Sequence, residues 1–201
     1  ARTDLRDGTL ARLVASGIRG VTANPTIVAR AIEASDAYDE QFATLLSAGH
    51  TVQDAYDELV IADVVRALEV LRQRFEDARS GKTSGLDEIE AIGRAYVAYS
   101  RELPHYFDAC ARYQSHACDE VCDDKAVPPN EAACMDAGHR VHATLVDSLN
   151  RGVADGSIRG NLGDPYVTAL SLWAFTHGVI QIASSKGGQI EHEGVPVQQF
   201  I

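Results

Sequence analysis

The chain has 201 residues, of which 45% are hydrophobic, so it can bury the core of one large domain or of two small ones. Its 18 basic and 29 acidic residues give a net charge of −11, which disfavours binding to nucleic-acid phosphates and to anionic membranes. Four cysteines at irregular spacing fit the reduced thiols of a cytoplasmic protein better than a disulfide framework. We therefore expect a soluble, cytoplasmic protein with no nucleic-acid or membrane partner of its own. Both ends of the chain are expected to be cut from a longer sequence.

The amino-terminal residues predict a helix, a strand and a second helix. Leucines at helical spacing favour a short helix over residues 5–14, and Ile18 to Ala23 is a strong strand signal. Asn24 can accept from free backbone N–H groups, and Pro25 suits the first turn of a helix. The strand is therefore expected to turn directly into a helix over residues 26–34.

A short helix and a long one are predicted next. Ser35 or Asp36 caps the short helix, which ends at Gly49, and Thr51 with Asp54 three residues later forms a capping box that opens the long one. The long helix carries a stripe of apolar residues at helical spacing: Val60, Val64, Ala67, Leu68, Leu71 and Phe75. This stripe predicts one buried face.

Residues 76–85 are polar and rich in glycine, which predicts a linker. All later signals are helical, and helices are predicted over residues 86–103, from Pro104 toward Asp124, over residues 130–154 and from Asp164 onward. The last of these carries apolar residues all around its axis. Because such a helix needs a partner on more than one side, we expect a subunit contact on its outer face.

Three segments near the amino terminus carry a family resemblance: residues 5–10 (LRDGTL), 17–27 (GIRGVTANPTI) and 35–39 (SDAYD). In these segments the chain resembles transaldolases, over about residues 1–75. Transaldolases are (β/α)8 barrels that transfer a dihydroxyacetone unit between sugar phosphates through a Schiff base on a lysine. The resemblance implies that Thr22 and Asn24 are vestigial substrate-binding residues at a strand end, where this fold places its chemistry. Ala23 departs from the family, which usually has a hydroxyl residue there.

The catalytic lysine of that chemistry has no counterpart in this sequence. A Schiff-base amine needs a desolvated pocket to lose its proton near neutral pH. The three lysines, Lys82, Lys125 and Lys186, lie among polar or glycine residues instead. We therefore predict no catalytic residue, no cofactor and no enzyme activity, with a transaldolase completed by missing strands as the alternative.

Four later segments carry a second resemblance: residues 92–97 (IGRAYV), 103–107 (LPHYF), 152–159 (GVADGSIR) and 172–178 (LWAFTHG). Over about residues 85–201 the chain is similar to the regulatory domain of tetracycline-repressor-type (TetR family) transcription factors. The similarity implies an all-helical domain that encloses a small, apolar effector and forms a homodimer through its last helices. The basic helix-turn-helix of the family has no counterpart here, so operator binding by this chain alone is not predicted.

Aromatic residues concentrate in the helices that would enclose such an effector, and aromatic walls with a few hydroxyl groups suit an apolar ligand. The residues predicted to bind it are Tyr96, Tyr99, Phe107, Cys110, Tyr113, Trp173 and His177. Two alternatives stay open. Ordinary core packing explains the same spacing, and His177 is either a hydrogen-bonded core histidine or a titrating switch.

Two further patterns resemble a zinc site and a phosphate-binding loop. A group of possible zinc ligands comprises Cys118, Cys122, Cys134, His139 and His142. Their spacing is looser than that of closed zinc sites, so no metal site is predicted. Residues 80–83 (SGKT) mimic the end of a phosphate-binding loop, yet Glu76 stands where that loop requires glycine, which excludes nucleotide binding.

Together these features predict a mainly α protein. A helical bundle of the TetR regulatory-domain type (residues 86–201) follows a linker (76–85) and an incomplete β/α fragment of (β/α)8-barrel origin (1–75), with the junction between Leu71 and Gly85. Without parallel neighbours, the strand from Ile18 is expected to be frayed, exposed or covered by a helix. The predicted function is a ligand-binding, dimerising regulatory module that lacks a DNA-reading element. A chimera with no evolved function is the remaining alternative.

Overall fold

A computed structural model of the protein describes residue 36, residues 38–110 and residues 129–200. The helices, in chain order, are α1 (Asp39–Ser47), α2 (Val52–Arg79), α3 (Gly85–Glu102), α4 (residues 104–110), α5 (Pro129–Asp155), α6 (Pro165–His192) and α7 (Val197–Phe200). The mainly α fold class is thereby confirmed, and these ranges contain no strand. The predicted strand from Ile18 to Ala23 and the helices on either side of it lie outside the described residues.

Helix α2 begins at the predicted capping box. The Thr51 hydroxyl oxygen accepts from the Asp54 backbone N–H at 3.1 Å, and the Asp54 carboxylate accepts from the Thr51 N–H at 3.2 Å. Two of the otherwise unpaired N–H groups near the start of the helix are thereby satisfied. Of the predicted stripe, every member but Val60 is buried, so the 3.6-residue spacing identified the inner face correctly.

Helix α2 continues to Arg79, so residues 76–79 are helical although they were predicted as linker. Phe75 is buried in the core and holds this turn in place, while Arg79 Nε lies 2.7 Å from the Glu76 carboxylate one turn earlier. The exposed side of a last helical turn has the polar composition of a loop, which explains the difference. The connection to α3 is residues 80–84, with Gly81 at a φ of +72°.

Helices α2, α3 and α5 pack against one another and form the centre of the molecule. Their shared core contains Val64, Leu68, Leu71 and Phe75 of α2, Ile92, Tyr96 and Tyr99 of α3, and Cys134, Val141, Leu145 and Leu149 of α5. A helix from the first predicted part of the chain therefore shares one core with helices from the second. The division into residues 1–75, 76–85 and 86–201 stays a prediction.

The start of α3 lies almost in backbone contact with α5. A Cβ atom added to Gly85 would lie 2.1 Å from the Gly152 nitrogen, so only glycine fits at residue 85. The Asp155 carboxylate accepts from the Gly85 N–H at 2.8 Å, and the Arg151 guanidinium pairs with the buried carboxylate of Glu88. These contacts fix α3 against α5 at one end.

Helix α6 packs on α5 and on the edge of α3, and it begins as predicted. Asp164 accepts from the Tyr166 and Val167 N–H groups at 2.8 and 3.1 Å, with Pro165 in the first turn. The helix buries little of its surface, and its exposed apolar side chains are Tyr166, Val167, Leu170, Leu172, Phe175 and Ile182. Among the described helices, α6 is the one that is long and apolar enough to cross a membrane. Length and composition are a weak criterion, because core helices of water-soluble proteins also meet it.

Candidate ligand-binding site

Helices α3, α4 and α6 converge on four ring side chains, Tyr96, Phe107, Trp173 and His177, which we call the aromatic cluster. The rings of Phe107 and His177 stack with centroids 4.8 Å apart, and Tyr96 lies 5.4 Å from Phe107. Trp173 lies one helical turn before His177, with its ring centroid 5.4 Å away. The cluster forms because α6 presents residues 173 and 177 on the same face, toward the buried stripe of α3.

A chain of two hydrogen bonds runs through the aromatic cluster. The Trp173 Nε1–H donates to the Tyr96 hydroxyl oxygen at 3.1 Å, and the Tyr96 hydroxyl lies 2.8 Å from His177 Nδ1. Since indole nitrogen only donates, the Tyr96 oxygen accepts there, and its own proton remains available for a bond to His177. His177 Nδ1 accepts this proton when the imidazole carries its own proton on Nε2, and donates to the Tyr96 oxygen in the other tautomer.

Burial sets the titration behaviour of the site. It raises the pKa of the Tyr96 hydroxyl and lowers the pKa of His177, the latter opposed in part by the Asp108 carboxylate. Both groups are therefore neutral near pH 7. The arrangement matches a hydrogen-bonded histidine, one of the two alternatives drawn from the sequence.

Tyr99 and Cys110 lie deeper, beside the aromatic cluster. Tyr99 is fully buried, and its hydroxyl donates to the Ala67 carbonyl of α2 at 3.0 Å. Burial raises the pKa of the Cys110 thiol to about 12, so this thiol is protonated and unreactive. Both residues contribute to the wall behind the aromatic cluster.

A further histidine borders the aromatic cluster from α5. The His142 ring lies 5.3 Å from that of Tyr166 and 6.2 Å from that of Trp173. Its Nε2 atom is buried and has no hydrogen-bond partner, and burial, together with the charge of His139, lowers its pKa. The sequence indicates His142 only as a possible zinc ligand, although this residue lies three positions before Leu145 on the buried stripe of α5.

The structure brings together six of the seven predicted ligand-binding residues, namely Tyr96, Tyr99, Phe107, Cys110, Trp173 and His177. Whether they bind a ligand stays a prediction. Tyr113, Thr22 and Asn24 lie outside the described residues. Of the possible zinc ligands that are described, Cys134 is buried and His139 is exposed, and the described residues contain no group of three side chains that could hold a metal ion.

A separate cleft of about 470 Å³ lies between the first turns of α2, with His50 just before them, and the start of α5. Its polar lining is mainly acidic, with Asp54, Asp57, Glu58 and Glu131 beside His50. Asp54 is already engaged in the capping box of α2. The cleft is separate from the aromatic cluster and contains none of the predicted site residues.

Comparison with known proteins finds two families in succession. The model "Tetracyclin repressor-like, C-terminal domain" matches residues 89–195, and "Transaldolase/Fructose-6-phosphate aldolase" matches residues 4–92. Both predicted resemblances are therefore confirmed. The two matches meet at residues 89–92, within α3, close to the predicted junction between Leu71 and Gly85, which itself stays a prediction.

The curated proteins similar to this chain include transaldolases. Transaldolase 1 of Streptomyces coelicolor is 33% identical over 158 residues, which cover 75% of this chain and 40% of that protein. The transaldolase of Frankia alni is 42% identical over 95 residues, which cover 47% of this chain and 25% of that protein. The chain thus spans from a quarter to two fifths of these relatives. No solved structure matches it.

Proposed function

We propose that this chain, which belongs to the tetracyclin repressor-like C-terminal domain family through residues 89–195, is a cytoplasmic regulatory module that binds a small apolar molecule and forms a homodimer. The observation that carries the proposal is the hydrogen-bond chain from Trp173 through Tyr96 to His177. The rings supply apolar contact area for a ligand, and the three hydrogen-bonded polar groups can fix the orientation of that ligand. Small-molecule sites combine these two features.

The same residues can couple ligand binding to a movement of the helices. The aromatic cluster connects α3, α4 and α6, and Tyr99 ties α3 to the middle of α2 through the Ala67 carbonyl. A ligand that binds one arrangement of these helices more tightly than another shifts the population toward that arrangement. We propose that effector binding displaces α6 relative to α3, because α6 is the least buried of the long helices.

The proposed partner of the outer face of α6 is a second copy of this chain. Phe175 is 72% exposed there, and Val167 is 58% exposed. Exposed apolar patches of this kind mark association surfaces. With a net charge of −11, these 201 residues are not proposed to bind DNA.

Ligand binding can be measured directly, because Trp173 is the single tryptophan of the chain. We expect small neutral aromatic compounds to change its fluorescence saturably and to raise the melting temperature. Replacing Tyr96→Phe removes the acceptor of the indole N–H, so we expect a shifted emission spectrum. We also expect binding weaker by about fivefold, because Trp173 and His177 lose the hydrogen bond that holds them in one arrangement. Tyr106→Phe, on α4 but outside the aromatic cluster, is the matched control and should bind as the unmodified chain does.

The proposal would be wrong if no compound in such a screen changed either the emission of Trp173 or the melting temperature. It would also be wrong if Tyr106→Phe weakened binding as much as Tyr96→Phe. A folded helical chain that binds nothing would instead favour the alternative of a chimera with no evolved function.

Transaldolase activity is a second candidate, favoured by the match of residues 4–92. Lys82 lies in the loop between α2 and α3, and Lys186 is exposed on α6, so neither described lysine occupies a desolvated pocket. Incubation with a ketose phosphate and borohydride, followed by mass spectrometry, should therefore give no adduct. A three-carbon adduct on any lysine would support the enzyme and contradict the preferred proposal.

A further inference from the structure

We infer that the preferred ligand of the aromatic cluster is a neutral aromatic alcohol, whose ring lies against Trp173 and Tyr166 and whose hydroxyl group hydrogen-bonds to His142 Nε2. This inference rests on the proposed ligand-binding function. It adds a chemical class of ligand and a binding residue, His142, that recognises it.

Most polar atoms of the site already have hydrogen-bond partners. The indole N–H of Trp173 donates to the Tyr96 hydroxyl oxygen, and that hydroxyl group is also hydrogen-bonded to His177 Nδ1. His142 Nε2, in contrast, is buried with no partner. A buried polar atom left unpaired costs free energy, so a ligand that pairs with it gains an advantage over one that does not.

Two aromatic rings of α6 lie beside His142. Its ring faces those of Tyr166 at 5.3 Å and Trp173 at 6.2 Å, distances at which aromatic rings interact favourably. Tyr166 is exposed at the start of α6, so this edge can be reached from solvent. Helix α6 buries only Ala169, Ile180 and Ala183, so it can shift to admit a flat ring at little cost in packing.

The histidines of the site carry no charge near pH 7. Burial keeps both His142 and His177 neutral, and the Asp108 carboxylate lies near His177, so a carboxylate ligand would find no cationic partner among the side chains of the described site. A hydroxyl group carries no charge, and it can donate as well as accept. It therefore suits His142 Nε2 in either tautomer, whereas a ketone would require the proton on Nε2.

The test uses two probes with the same carbon skeleton, 4-propylphenol and propylbenzene, titrated into the full chain and followed by Trp173 fluorescence and calorimetry. We expect 4-propylphenol to bind about fivefold more tightly, the value of one hydrogen bond. His142→Leu should abolish this preference while keeping the affinity for propylbenzene. His142→Gln, which keeps a donor and an acceptor, should retain part of the preference.

His139→Leu is the matched control, because His139 lies one turn earlier on α5 and is exposed. It should leave the preference for 4-propylphenol unchanged. Equal binding of the two probes by the unmodified chain would overturn this inference and leave the proposed function standing, as would a preference that survives in His142→Leu. Failure of both probes to bind, together with a negative general screen, would overturn the inference and the proposed function.

Discussion

Gly85 and Gly93 lie two turns apart in α3 and have opposite surroundings. A Cβ atom at Gly85 would lie 2.1 Å from the Gly152 nitrogen, whereas one at Gly93 would meet nothing within 4 Å. We expect Gly85→Ala to lower the free energy of unfolding by about 3 kcal/mol, because backbone must move to make room. Gly93→Ala should raise it by about 0.5 kcal/mol, because alanine favours the helix. Urea unfolding of the two variants checks this, and similar values for both would contradict the close approach of α3 and α5.

The ion pair between Glu88 and Arg151 also acts at the scale of single residues. The Glu88 side chain is 5% exposed, so losing its partner leaves a buried carboxylate unpaired. We expect Arg151→Ala to lower the free energy of unfolding by about 2 kcal/mol. Arg94→Ala is the control, because its pair with Glu90 is exposed on the same helix and should contribute about 0.5 kcal/mol or less. Equal losses in the two variants would show that the burial of Glu88 is not what matters.

At the scale of elements, the capping box of α2 allows a prediction that depends on pH. Thr51→Ala should lower the free energy of unfolding by about 1 kcal/mol near pH 7, whereas Thr44→Ala, within exposed α1, should change it by less than about 0.5 kcal/mol. Hydrogen bonds from the Thr51 side chain and backbone lower the pKa of Asp54 below its usual 3.8.

A lowered pKa means that the ionised Asp54 stabilises the folded state fully above pH 3.8, and that this contribution is lost as the pH falls through the lower folded-state value. The difference between Thr51→Ala and the unmodified chain should therefore shrink below that range. Urea unfolding at several acidic pH values measures it. A difference that stays constant with pH would mean that Asp54 does not take part.

The sequence predicts helix ends that are fixed by hydrogen bonds between residues close in the chain. It does not predict helix ends that depend on packing against residues distant in the chain. The starts of α2 and α6 follow from Thr51 with Asp54 and from Asp164, whose side chains bond to backbone a few residues away. The end of α2 was placed too early, since its polar last turn is held by the packing of Phe75.

The same distinction applies to the candidate site. Helical spacing and family resemblance selected the aromatic residues that α3, α4 and α6 bring together. The bond from Trp173 to Tyr96 joins residues 77 positions apart, and no local pattern reveals such a pair. The sequence does not indicate His142 as a ligand-binding residue. Its Nε2 atom is buried without a hydrogen-bond partner only because α6 packs against α5.

At the scale of the whole molecule, the outer face of α6 predicts self-association. We expect the chain to sediment at about twice its mass of 21.6 kDa. Phe175→Glu should shift it to the monomer, because Phe175 is the most exposed of the large apolar residues in the described ranges. Leu86→Glu, an exposed position on α3, is the control and should leave the mass unchanged. A monomeric unmodified chain would rule out the homodimer.

The shared core of α2, α3 and α5 predicts how far the chain can be shortened from its amino terminus. A chain of residues 50–201 keeps α2 and should unfold in a single cooperative transition. A chain of residues 86–201 lacks the core residues Val64, Leu68, Leu71 and Phe75. It also lacks the Ala67 carbonyl of α2, which accepts a hydrogen bond from the Tyr99 hydroxyl. Because a buried hydroxyl then lacks a partner and a large apolar face is exposed, we expect no cooperative transition.

Calorimetry and urea unfolding of the two shortened chains distinguish these outcomes, with the 201-residue chain as the reference. If residues 86–201 unfold as cooperatively as residues 50–201, the helical bundle is complete without α2 and the predicted boundary at 76–85 holds. If only residues 50–201 unfold cooperatively, then α2, which lies within the transaldolase match, is an integral part of the helical bundle. The functional unit then begins near Thr51, and any movement of α3 on ligand binding reaches the amino-terminal residues through α2.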